Sequence, residues 1–201
     1  MLNGDAVNVG GYIMPSLGYH DAISTTINNL LFILPLFMGR QFFRSYESQL
    51  LMFKMLVIAG LGYSILMLYE IRMSPQLHSS LYGYFPHNFG QQKRFGGFRP
   101  VVFMGHGLWV AFFTAVVLIS AAVLWQNNEK IRRFSPATIT YYFVAVLILC
   151  KSMASLFYGV FGLVMVKFIR PKSQIRLALF LVVLALLYPT MSIMKIFPHQ
   201  N

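Results

Sequence analysis

Three cations crowd one short stretch of this chain. Lys93, Arg94 and Arg99 fall within QQKRFGGFRPVVFMGH, residues 91–106, a segment broken by a glycine pair and followed by a long apolar run. Arg99 stands directly before Pro100. A proline restricts the preceding residue to extended backbone and suits the first turn of a helix. Arg99 is therefore expected at the N-cap of a helix that starts at Pro100. At that point four backbone N–H groups lack partners and the helix dipole is positive, an arrangement that binds anions. His106 follows two helical turns on, on nearly the same face. Lys151 is a cation in the middle of another apolar run, 137–167. Guanidinium and ammonium groups gathered at one point suit a phosphate or diphosphate.

The same residues have plainer readings. Lys93 and Arg94 read most simply as solvated groups or contacts to lipid phosphate. His106 reads equally as a packed histidine bonded to a neighbouring helix. Lys151 is an ordinary turn residue on the plain reading, although a charge inside an apolar run points to function. His87, in an aromatic loop bounded by Pro86, is a base or a turn residue. His20, His78 and His199 show no pairing pattern. There is no HExxH, no CxxC and no cluster of carboxylates, so neither a metal nor another cofactor is expected. Glu47, Glu70 and Glu129 are scattered, which leaves paired-carboxylate catalysis unsupported. No P-loop or GxSxG occurs. Cys150 is the single cysteine and has no internal disulfide partner.

The elements that must position these residues are membrane helices. Of 201 residues, 57% are hydrophobic and 10% charged, against about 25% charged in soluble domains. The net charge of +11 sits in short loops between apolar runs. That pattern fits topology and anionic lipid, not nucleic acid, because no basic helix stands apart from the spans. The expected fold is all-α, a polytopic transmembrane helix bundle of about six spans, at 23–38, 49–69, 100–125, 135–150, 152–168 and 175–194. Ser24, Thr25, Thr26, Asn28 and Asn29 dilute the first span, and Lys54 is expected to snorkel out of the second.

The run 137–167 is long for one span and tight for two. A turn at Lys151 brings the basic loops 126–135 and 167–176 to one side of the membrane, as the positive-inside rule favours. Both termini and a long external loop, 71–99, then lie on the other side. Loops of that length are usually functional or disordered, and the many aromatics of this one argue against disorder.

Two segments together resemble a known family. YGYFPHNFGQQKRFGGFRPVVFMGHG, residues 82–107, is similar to the external-loop motif of the O-antigen ligase and O-antigen polymerase superfamily of membrane glycosyltransferases, in which an arginine precedes a transmembrane helix. LILCKSMASLFYGVFGLVMVKF, residues 147–168, resembles the start of that family's C-terminal region. The family usually has Ser-Arg at this junction, where this chain has Lys151-Ser152. FMGRQFFRS, residues 37–45, fits the family's habit of ending a span in Gly-Arg.

The resemblance implies transfer of a glycan from an undecaprenyl diphosphate carrier to a lipid A core sugar or another glycan. The reaction would occur at the outer face of the bacterial cytoplasmic (inner) membrane. It implies that Arg99 and Lys151 hold the diphosphate and stabilise it as leaving group, with Lys93, Arg94, His87 and His106 as substrate-binding candidates. The family's base lies in a large external loop after the span that here ends near Met194. The chain stops at KIFPHQN, so it is expected to be a piece of a longer enzyme, or else His199 is a remnant of that loop. The competing reading is a non-catalytic membrane protein such as a transporter or assembly subunit. A carrier would show interrupted helices in paired halves, and only the run 137–167 is of that kind.

Overall fold

The computed structural model describes residues 7–9, 12–14, 18–86, 88–94, 96–131 and 133–193. Among the described residues, seven α-helices carry nearly all of the regular structure. They are α1 (Tyr19–Phe42), α2 (Tyr46–Met73), α3 (Leu77–Tyr82), α4 (Gly107–Gln126), α5 (Pro136–Leu149), α6 (Met153–Phe168) and α7 (Pro171–Ile193). The expected all-α class is what the chain adopts. The exceptions are two short hairpins, β1 (Val7–Val9) with β2 (Tyr12–Met14) and β3 (Lys93–Arg94) with β4 (Gly97–Phe98). Among these helices α1, α2 and α4 are long and apolar enough to cross a membrane, which marks a membrane protein.

The chain divides into two units, residues 1–50 and 51–201. In the first, Val7 pairs with Met14 and Val9 with Tyr12. Helix α1 begins where the Asp21 carboxylate accepts the Gly18 N–H at 2.9 Å. Two of the hydroxyls that dilute its first turns, those of Thr25 and Thr26, are satisfied within the helix. Thr25 donates to the Asp21 carbonyl at 2.7 Å and Thr26 to the Ala22 carbonyl at 2.8 Å. A polar group bonded back to its own helix in this way carries little penalty in an apolar setting.

The second unit is built on α4, whose Val110, Ala111, Val117, Leu118, Ala122 and Leu124 are fully buried. Three helices pack on it, and their directions follow from which residues meet. On α2, Met67 reaches Thr114, Gly60 faces Val117 and Lys54 pairs with Glu129, so α2 runs antiparallel to α4. On α5, Cys150 reaches Thr114 and Tyr141 meets Trp125, so α5 is antiparallel as well. On α6, Gly159 faces Ala115 and Leu118, Gly162 faces Ile119, and Lys167 lies over Trp125, so α6 is parallel to α4. Small residues set these close approaches. A Cβ at Gly60 would stand 2.6 Å from Val117, and one at Gly162 would stand 2.5 Å from Ile119.

The apolar run 137–167 is therefore a hairpin of two helices. Lys151 makes the turn with φ +51°, in the left-handed region. Its carbon chain lies at one end of α4, and Lys167, Trp125 and the Lys54–Glu129 pair lie at the other. The Glu129 partner of Lys54 was not expected: in place of simple snorkelling, the ammonium sits 2.8 Å from that carboxylate.

One expectation is overturned. No helix starts at Pro100, and Arg99 is not an N-cap. Helix α4 starts at Gly107, and its cap is His106, whose Nδ1 accepts the Leu108 N–H at 3.0 Å. The Glu70 carboxylate captures the Val101 and Val102 N–H groups at 2.8 and 2.7 Å, and Val102 turns to φ +51°. A helix cannot pass through that geometry. His106 consequently lies at the mouth of α4 and not two turns inside a helix begun at Pro100.

The connection 71–99 is folded. It holds α3, a 3-10 turn at Phe89–Gln92 and the β3–β4 hairpin, in which Lys93 pairs with Phe98 and Arg94 with Gly97. Aromatic side chains join these pieces. His78 is buried between Tyr82 and Tyr84, and its Nδ1 lies 3.0 Å from the Tyr84 carbonyl. Phe89 packs on Phe85 and Phe98, with the Lys93 ammonium 5.9 Å above its ring.

Candidate functional site

Arg99 is the centre of the site, and its backbone is fixed before its side chain is considered. Its N–H donates to the Gln92 carbonyl at 2.8 Å. The two residues beyond Pro100 are held by Glu70. The Arg99 side chain is only 5% exposed. Its methylenes lie against Gly107, where a Cβ would collide with Arg99 Cγ and Cδ and with Gln92 Oε1. The guanidinium then donates from Nη2 to the Lys151 carbonyl at 3.0 Å. Lys151 is left-handed there and lies outside both α5 and α6.

Lys151 joins the site from the opposite side. A Cβ on Gly97 would collide with its ammonium, so the Lys151 tip rests on the β4 strand of the hairpin that carries Lys93 and Arg94. A cavity of about 340 Å³ lies at this junction, lined among others by Arg94, Arg99, His106, Lys151 and Ser152. A second hollow of about 300 Å³, lined by Lys93, Arg94 and Gly97, adjoins through Arg94. Among the described residues no carboxylate lines either one.

The electrostatics follow. Burial, and next the Arg94 charge, pull the Arg99 guanidinium below its ordinary value, with Cys150 acting the other way. Arginine nevertheless stays protonated. A buried cation facing other cations is costly until an anion joins it. Arg99 Nε is buried with no hydrogen-bond partner. The Gln92 amide beside it is fully buried and its oxygen and nitrogen are likewise without partners.

Of the residues expected at the site, Arg94, Arg99, His106 and Lys151 meet at the first cavity. Lys93 belongs to the adjoining hollow. His87 lies outside the described residues, as do Lys195 and His199. His106 lines the cavity, and its Nδ1 caps its own helix α4 where the structural reading expected a bond to a neighbouring helix.

Three further residues shape the site: Ser152, Gln92 and Glu70. Ser152 lines the cavity and its hydroxyl bonds Ser155 at 3.2 Å. Its position next to Lys151 was the available signal. Gln92 carried no signal, since an amide in a loop is ordinary. Glu70 did carry one: an acid closing an apolar run, in a chain with 5 Asp and Glu residues in all. Among the described residues no group of three or more His, Cys, Asp or Glu side chains is placed to hold a metal ion.

The arrangement is chemically simple. It offers convergent N–H donors with positive charge, at the end of an apolar bundle, and it offers no carboxylate to neutralise them. Compared with known proteins, the chain matches no family model, no curated protein and no solved structure.

Proposed function

We propose that this chain binds the diphosphate of a lipid carrier at one end of its helix bundle. It does so as a membrane glycosyltransferase of the O-antigen ligase and polymerase type, or as a piece of one. The observation that carries this reading is the burial of Arg99 beside Arg94 and Lys151 in a cavity that, among the described residues, no carboxylate lines. A doubly charged head group on an apolar chain is the ligand such a site fits, because the cations answer the phosphates and the membrane takes the chain.

In the reaction, the bond between the sugar's anomeric carbon and the diphosphate oxygen breaks as an acceptor hydroxyl attacks that carbon. The electron pair leaves with the diphosphate, and the acceptor proton goes to a base. Arg99 and Lys151 stabilise the charge that develops on the leaving group, which is the main contribution a fixed cation can make. The glycan goes to a lipid A core sugar or to another glycan.

The accompanying topology is six spans with both termini outside, in the bacterial cytoplasmic (inner) membrane. The site and the folded connection 71–99 then face outward. The α5–α6 hairpin supports it, because the turn at Lys151 returns the chain to the end where Lys130, Arg133, Lys167 and Arg170 gather, the pattern of a cytoplasmic face.

The test is binding of undecaprenyl diphosphate and of undecaprenol to the purified chain in nanodiscs, read by native mass spectrometry. The diphosphate should bind and Arg99→Ala should weaken it about tenfold or more, the usual worth of a charged hydrogen bond. Equal binding of the two lipids would sink the reading.

A further inference from the structure

Glu70 lies at the last turn of α2, fully buried, and is outside both hollows. Its two oxygens take three backbone donors. Oε2 accepts from Val101 at 2.8 Å and Val102 at 2.7 Å, and Oε1 accepts from Leu77 at 3.0 Å. Pro100 has no N–H. Between Arg99 and Met104 every backbone donor is therefore engaged: Arg99 by Gln92, Val101 and Val102 by Glu70, Phe103 by the Tyr63 hydroxyl at 3.4 Å, and Met104 by the Val101 carbonyl at 3.0 Å.

Within this segment Val102 holds φ +51°. A β-branched residue avoids that region, and one kept there is kept by its surroundings. Among the described residues the side chain bonded to its N–H is Glu70. Arg99 stands three residues earlier, joined to this turn through Pro100 and Val101.

We infer that Glu70 is a positioning residue for Arg99: it holds Val102 in the left-handed turn and thereby sets the guanidinium against Lys151 and the anion cavity. The inference rests on the reading of that cavity as an anion site. Glu70 acts through its acceptor geometry, not as a counter-charge to the cations. A glutamine at 70 has one oxygen, enough to take Val101 and Val102 together, and its amide nitrogen would face Leu77. An alanine takes none. A glycine at 102 adopts positive φ without help.

The experiment uses the full chain in nanodiscs, with Glu70→Gln, Glu70→Ala, Val102→Gly and the double variant Glu70→Ala/Val102→Gly. Two readouts are taken on each. Phenylglyoxal labelling of Arg99, resolved by peptide mass spectrometry, reports whether the guanidinium is held. Titration with inorganic diphosphate reports the anion site. Glu70→Gln should stay within about threefold of the unaltered chain in both, because the two bonds to the Arg99 side are kept. Glu70→Ala should label Arg99 about tenfold faster and bind diphosphate about tenfold more weakly. Adding Val102→Gly to it should recover about threefold or more of each loss, since glycine removes the strain that Glu70 opposes.

Alike behaviour of Glu70→Gln and Glu70→Ala would overturn the inference in favour of a charge role. Absence of recovery in the double variant would overturn it in favour of a general folding role. Should Glu70→Ala alone not fold, the double variant decides: a folded double variant with Arg99 protected supports the inference, and any other result overturns it. If the unaltered chain binds no diphosphate while Arg99 labelling still follows the variants as described, the anion reading fails and the positioning role stands.

Discussion

The Arg99 guanidinium donates to the Lys151 carbonyl at 3.0 Å, across 52 positions of sequence. One bond thus ties the folded connection 71–99 to the turn of the α5–α6 hairpin. It also consumes only part of the guanidinium. Of its five N–H donors, Nε is buried and unpartnered, so the group is held in place by one contact while keeping capacity for a ligand.

Arg99→Lys should not restore what Arg99→Ala removes. An ammonium at that depth cannot both reach the Lys151 carbonyl and present a second, planar pair of donors. Diphosphate affinity should fall about tenfold or more in both variants, as for a lost charge-assisted hydrogen bond. Titration with inorganic diphosphate measures it, and an arginine-like affinity in Arg99→Lys would contradict the guanidinium role.

Lys151 combines a charge with a left-handed backbone, and the two can be separated. Lys151→Gly keeps the turn and loses the charge, whereas Lys151→Val loses both. The valine variant should be less stable than the glycine variant by about 1–2 kcal/mol, the cost of forcing a side chain into that region. Thermal unfolding in detergent compares them. Diphosphate binding should weaken in both alike, because both lack the ammonium.

Gly159 lets α6 lie against α5, and Gly162 lets it lie against α4. A Cβ at Gly159 would stand 2.5 Å from Leu147, and at Gly162 2.5 Å from Ile119. Gly162→Val should therefore cost about 1–3 kcal/mol through overpacking. Gly62 has nothing within 4 Å of such a Cβ, so Gly62→Ala should be neutral or slightly stabilising in the helix interior. Equal melting temperatures for the Gly162 and Gly62 variants would refute this packing.

The two ends of α4 should face opposite sides of the membrane. With Lys93→Cys and Arg133→Cys, a membrane-impermeant maleimide applied to intact cells should label the first and not the second. The native Cys150 is fully buried and should not compete. Labelling of both from outside would discard the six-span topology.

The helices were largely legible because apolar length is a local property: each of the six apolar stretches named from the sequence contains a helix. The break at Lys151 was legible too, from the distribution of basic loops on either side of it. The start of α4 was not. Pro100 has the local signature of a helix start, and what cancels it is Glu70, 31 positions before Val101 in the chain. A carboxylate's choice of backbone donors depends on which loop passes it, and no pattern in either segment records that. Among the site residues, charge made Arg94, Arg99 and Lys151 visible. Gln92 was invisible because its significance is burial and neighbourhood, not type, and Ser152 offered only its place beside Lys151.

The left-handed turn at Lys151 has a consequence for the order of assembly. When α4 emerges during synthesis, the carbonyl that will receive Arg99 has not yet been made. Until then Arg99 and the connection before it lack that partner. Only when the chain doubles back at Lys151 can the guanidinium reach it at 3.0 Å. The cavity lined by Arg99 and Lys151 is thus a late product of synthesis, completed by the closing of a hairpin and not by the folding of the connection alone.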